Sequence, residues 1–129
     1  MDKNVKKPRP VNLNLTTIYF PITAIVSILQ RMSGIINILS IGIMLKLLHF
    51  SLSSPENFKN VKFLLTTFYF KIIALGILIV IIYHVIGGIR HILMDFGLIT
   101  ESKISGTRSA YIVLILTIIF SIIMGVFIW

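Results

Sequence analysis

Two ionisable side chains stand inside long apolar runs: Arg31 in "SILQRMSG" and His84 in "YHVIGGIRHILMD". A charge near mid-bilayer costs roughly 2.5–3.5 kcal/mol even on the lenient insertion scale, so each needs a reason to be there. On a helix, Ser27, Gln30, Arg31 and Gly34 fall at i, i+3, i+4 and i+7 and form one polar stripe. Arg31 lies fifteen residues before Lys46, and His84 thirteen after Lys71. At ~1.5 Å per residue both are about 20 Å from the same boundary and share a depth. A guanidinium there can hold an anion or a polar carbonyl beside the imidazole. Snorkelling of Arg31 and a hydrogen-bonded interior His84 is the plainer alternative. Gly87 and Gly88, at i+3 and i+4 from His84, tilt the choice because they clear its face for a flat group such as a haem. As a lone signal, paired glycines more often serve helix contact.

A neutral imidazole ligates haem iron through one nitrogen and keeps the other for an orienting hydrogen bond. His91 is seven residues from His84 on the same helix, and His49 lies at the opposite boundary. Neither can face His84 across an iron, so a second histidine ligand must come from another subunit. His91 and Asp95, at i and i+4, suit a local ion pair. Met44, Met94 and Met124 suit packing.

The elements that must position these groups are helices in a membrane. The chain of 129 residues is 57% hydrophobic and 12% charged, with a net charge of +8 and a mean hydropathy of +1.00. That is far outside the soluble range. The bases sit at the ends of apolar runs with no contiguous patch, which argues against nucleic-acid binding. No cysteine is present, which excludes disulfides, cysteine-ligated zinc and an iron–sulfur cluster held by this chain. The first apolar run is too long for a signal h-region and carries Arg31, so the N-terminus is expected to be retained.

Three spans are expected, Pro21–Leu45, Ile72–Ile89 and Ala110–Trp129, each long enough for a hydrocarbon core of about 30 Å. The whole chain forms one all-α membrane domain after an N-terminal segment, 1–20. "HFSLSSPENFKNVKF" and "GLITESKISGTRS" have the turn chemistry of loops. Lys3, Lys6, Lys7, Arg9, Arg90, Lys103 and Arg108 lie on one side, against Lys46, Lys59 and Lys62 on the other. Seven against three puts the N-terminus and second loop in the cytoplasm and the C-terminus outside.

With those residues in view, the chain resembles the cytochrome b membrane-anchor subunits of bacterial succinate dehydrogenase (SdhC type). "RPVNLNLTTIYFPITAIVSILQRMSG" and "YHVIGGIRHILMDFG", with a third span at the expected spacing, carry the resemblance over essentially the whole chain. It implies a multi-pass subunit of the bacterial inner membrane, one half of a heterodimeric three-plus-three helix anchor bundle. Its implied partners are a second three-helix anchor, an iron–sulfur subunit and a flavoprotein that oxidises succinate. The resemblance also implies a haem b between the anchors with His84 as axial ligand. It places ubiquinone at Ser27 and Arg31, and a haem propionate at Arg31. The family usually has histidine before that arginine; Gln30 stands there, able to donate to a propionate but without a charge. Three alternatives stay open: a haem-free structural anchor, the anchor of a fumarate reductase, and a small transporter. The last is disfavoured, because Asp2, Glu56, Asp95 and Glu101 all fall in loops or at an interface.

Overall fold

The computed structural model describes Asn14, residues 18–100 and residues 102–129. Most of the N-terminal segment, with Lys3, Lys6, Lys7 and Arg9 of the orientation count, lies outside the described residues, as does Glu101. The rest is helical: α1 is Ile22–Ser53, α2 Pro55–Thr66, α3 Phe68–Asp95 and α4 Lys103–Ile128. Of these, α1, α3 and α4 are long and apolar enough to cross a membrane.

Each long helix runs past its apolar segment. Pro21 is the N-cap of α1 in an extended conformation. Its carbonyl accepts from the N–H groups of Ala24 and Ile25 at 2.9 and 3.2 Å. Nothing in "KLLHFSLS" breaks a helix, so α1 continues through Lys46 and His49. It stops at Ser54, which the following proline holds in an extended conformation.

The first expected loop is therefore the end of α1 followed by α2. Ser54 caps α2 by accepting from the Asn57 N–H at 3.1 Å, Pro55 takes the first turn, and Glu56 complements the helix dipole. The serine, proline and asparagine that resemble turn chemistry are a helix start. With Lys59 and Lys62 exposed beside Phe58 and Phe63, α2 suits the membrane interface rather than its core.

At its other end α3 closes in a Schellman motif. The N–H of Gly97 donates to Met94 C=O, and that of Leu98 to Leu93 C=O, both at 2.9 Å. Gly97 has a φ of 70°, the one left-handed residue among those described. Ser102 then caps α4 by accepting from the Ser105 N–H at 3.2 Å.

In the bundle α3 is central, packed against both α1 and α4. The core is small: Val26, Tyr83, Ala110 and Val113, flanked by Ile22, Ile86 and Leu114. All of these lie at the end where α1 and α4 begin and α3 finishes, here termed the entry end. Tyr83 donates its hydroxyl to the Val26 carbonyl at 2.8 Å across the α1–α3 contact. Deeper hydroxyls are satisfied within their own helices, Ser40 on Ile36 C=O at 2.8 Å and Thr117 on Val113 C=O at 2.7 Å. At the far end Trp129 meets Phe68 edge-on at 5.7 Å and lies under the Lys71 ammonium at 5.6 Å.

Most other large side chains face outward, among them Ile38 at 72% and Val126 at 74% exposure. Lipid or other spans must cover them.

The left-handed turn gives a direct test. Gly97→Ala should destabilise the purified protein by about 1 kcal/mol through strain, while Gly97→Asn should recover part of that. Thermal unfolding in detergent reads both.

Candidate functional site

His84 projects from α3 onto α1. Its Nδ1 is 2.8 Å from Ser33 Oγ, and Ser33 Oγ in turn donates to Gln30 C=O at 2.7 Å. With the Ser33 proton on that carbonyl, the hydroxyl oxygen is an acceptor for Nδ1–H, the tautomer that leaves the Nε2 lone pair free. Gln30 Nε2 is 3.5 Å from Nδ1, too long to compete, and donates instead to the His84 carbonyl at 2.9 Å. Nε2 of His84 has no hydrogen-bond partner among the described residues. Nor is it shut in: the buried polar atoms lacking partners are Gln30 Oε1, Asn37 Oδ1 and Ser121 Oγ.

Two glycines make this contact possible, and they are not the expected pair. A Cβ on Gly34 would come within 3.2 Å of His84 Cε1, so the imidazole lies over the bare backbone of α1. A Cβ on Gly87 would collide with the Gln30 carboxamide, whose Oε1 and Cδ rest on it. Gly87 thus admits the Gln30 side chain, in place of the flat group expected there. Gly88 has only Gln30 Nε2 nearby, 3.8 Å from where its Cβ would be.

The polar stripe of α1 fans out, with Gln30 and Ser33 towards one edge, Arg31 at the other, and half-buried Ser27 between them, about 20° from Gly34. At about 100° per residue, Arg31 points some 160° away from Ser33, while Ser27 and Arg31 lie within about 40° of each other. Gln30, Ser33 and Gly34 face His84. Arg31 is exposed and Ser27 half-buried, and neither forms a hydrogen bond or ion pair with another described residue. The contacts with Gln30, Ser33 and Gly34 hold His84 at the level of Arg31, but the two are not brought into contact.

Further along α3, Arg90 departs from its expected place at the membrane surface. It is buried against α4, donating from Nε to Ser109 Oγ at 2.9 Å and from Nη2 to Gly106 C=O at 3.4 Å. His91 and Asp95 form no ion pair. Among the described residues no three His, Cys, Asp or Glu side chains gather. Ser33 and Arg90 were the residues that sequence reasoning missed. Ser33 is three residues from Gln30 and signals itself only once His84 is known to face it. For Arg90 the available signal was the run of small residues in "SGTRSA", which lets α4 come close.

Fold and site together define a three-span helical membrane subunit with an imidazole at an inter-helix contact and, beside it, an outward Arg31 that no described residue pairs with. The chain belongs to the succinate dehydrogenase/fumarate reductase transmembrane subunit family, whose pattern it matches over residues 5–124. It is 39% identical over 122 residues to the succinate dehydrogenase cytochrome b556 subunit of Coxiella burnetii, covering 94% of this chain and 97% of that one. It is 32% identical over 126 residues to the cytochrome b560 subunit of Reclinomonas americana, covering 93% and 86% respectively.

The glycine contact predicts a coupling. Gly87→Ala should push the Gln30 carboxamide off the His84 carbonyl and cost about 1 kcal/mol, the worth of one hydrogen bond. Adding Gln30→Ala should make the Gly87→Ala change nearly free, as a double-mutant cycle on thermal stability would record.

Proposed function

We propose that the chain is the cytochrome b anchor of a succinate dehydrogenase, carrying haem b jointly with a second three-helix anchor and helping to form the ubiquinone-reduction site. The observation that carries this reading is the setting of His84, with Nδ1–H anchored on Ser33 and the Nε2 lone pair free and accessible. This donor state suits a haem iron, and the Ser33 acceptor is the outer partner that such a ligand needs. The second axial histidine would come from the other anchor, since this chain has none opposite His84. When bound, the haem supplies a one-electron carrier within the membrane.

The chain's own residues have distinct tasks in this proposal. Ser33 fixes the tautomer and ring plane of His84. Gln30 braces the helix behind it: its donor is on the His84 carbonyl and its Oε1 is buried, which turns it from the expected propionate partner into a support. Arg31, at the outward edge, and half-buried Ser27 beside it meet the groups that the partner subunits bring. Ser27 donates a hydrogen bond to a quinone carbonyl, and Arg31 stabilises negative charge as electrons arrive or pairs with a propionate. Succinate oxidation and the iron–sulfur clusters belong to the flavoprotein and iron–sulfur partners, because this chain has no cysteine to hold a cluster. Both relatives are succinate dehydrogenase subunits, which favours that enzyme over a fumarate reductase. The N-terminus is assigned to the cytoplasm and the C-terminus to the periplasm on the charge count alone.

A dithionite-reduced minus oxidised spectrum of the chain purified with its native partners should show a sharp b-type α-band. His84→Ala should abolish that band in the assembled complex; an unchanged spectrum would remove His84 as ligand. Ser33→Ala should keep the band but weaken haem retention by about 10–100-fold, the usual cost of losing an outer-shell partner. For the quinone site, Arg31→Leu should slow quinone reduction by on the order of 10²-fold while sparing succinate oxidation by a soluble acceptor. Equal loss of both activities would indicate failed assembly instead.

A further inference from the structure

Arg90 is the only buried cation among the described residues, at 6% exposure. Its partners, Ser109 Oγ and Gly106 C=O, are both neutral, and Ser109 spends its own proton on the same carbonyl at 3.0 Å. A guanidinium has five N–H donors and stays charged at any physiological pH. Two contacts leave three donors and the whole charge unanswered. Of the described acids, Glu56 lies on α2 and Asp95 is exposed, about 140° around α3 from Arg90. No described carboxylate pairs with it. The donors that remain are not sealed from solvent, so they are open to an anion in the space beside them.

The guanidinium lines a half-open cavity of about 470 Å³ between the first turns of α1 and α4 and the last turns of α3. Thr23, Ser102, Lys103 and Thr107 line it too, adding three hydroxyls and an ammonium. The N-terminus of α4 opens on the same space and adds its positive dipole end. We infer that this cavity binds a phosphate group, with Arg90 as the buried anchor and Lys103 closing over it. A guanidinium, an ammonium and three hydroxyls contributed by three helix ends are a donor set that suits an anion with several oxygens, and a phosphate presents more of them than a carboxylate. Arg90 is five residues, about 7.5 Å, from the end of α3, which is the depth of the headgroups. The phosphate is that of a phospholipid headgroup or a free ion. The site lies six residues beyond His84 and does not depend on the haem reading.

The test uses the complex purified with its native partners, delipidated in a maltoside detergent. Inorganic phosphate is titrated in one arm and a short-chain phosphatidylglycerol in the other, against chloride at matched ionic strength. The thermal midpoint should rise saturably. Lys103→Gln, an exposed position that leaves the fold intact, should weaken the apparent affinity by about 3-fold. Arg90→Gln should weaken it by about 10-fold or more. A response to both ligands assigns a site open to free phosphate, and a response to the lipid alone assigns it to a headgroup; either supports the proposal. No saturable rise in the parent, or an equally tight rise in the parent and the Lys103→Gln variant, overturns it. The latter holds even where Arg90→Gln fails to assemble.

Discussion

The hydrogen bond from Tyr83 to the Val26 carbonyl sets the register of the structure. A phenol in an apolar slab has no water to turn to, so its hydroxyl must find an acceptor within the protein. Here it finds one on the neighbouring helix. Such bonds contribute about 1 kcal/mol, yet their directionality does what packing in lipid cannot, because lipid tails are as apolar as the isoleucines they touch. With Tyr83 fixed, His84 on the next position is delivered to Gln30, Ser33 and Gly34. One turn further on, Gly87 comes under the glutamine side chain. The small core at the entry end forms around the same tie.

Beyond that end the chain is two-faced. The inward side of α1 is satisfied by α3 through His84, Gln30 and Ser33. Its outward edge carries Arg31, with half-buried Ser27 beside it, and the spans below expose rows of isoleucine and leucine. Among the described residues the Arg31 guanidinium has no partner. Family membership in a transmembrane subunit of a multi-subunit dehydrogenase agrees with that arrangement.

The three spans were legible because twenty apolar residues have few other uses, and His84 was legible because an imidazole among isoleucines is costly. What escaped the sequence followed from rotation and packing. Periodicity put Gln30 and Arg31 in one stripe, but a stripe about 100° wide is broad enough for its two edges to face different neighbours. The glycines after His84 announced a close approach and suggested a flat group such as a haem; what rests on Gly87 is the Gln30 carboxamide. Ser54, Pro55 and Glu56 fit a turn and a helix start equally well by type, and the order of cap, proline and acid decides for the helix. Arg90 was counted as a surface charge because most terminal arginines snorkel. The small side chains of Gly106 and Ser109, nineteen residues away at most, are what let it turn inward.

That separation along the chain has a consequence for biogenesis. Every residue that positions His84 lies in α1 or α3, with Gly87 the last of them, so the imidazole's setting is complete before α4 leaves the ribosome. The cavity at Arg90 needs α4 for half of its wall. Translation from the N-terminus therefore closes the two polar sites in sequence, and a nascent chain arrested after its second span would hold the first site without the second.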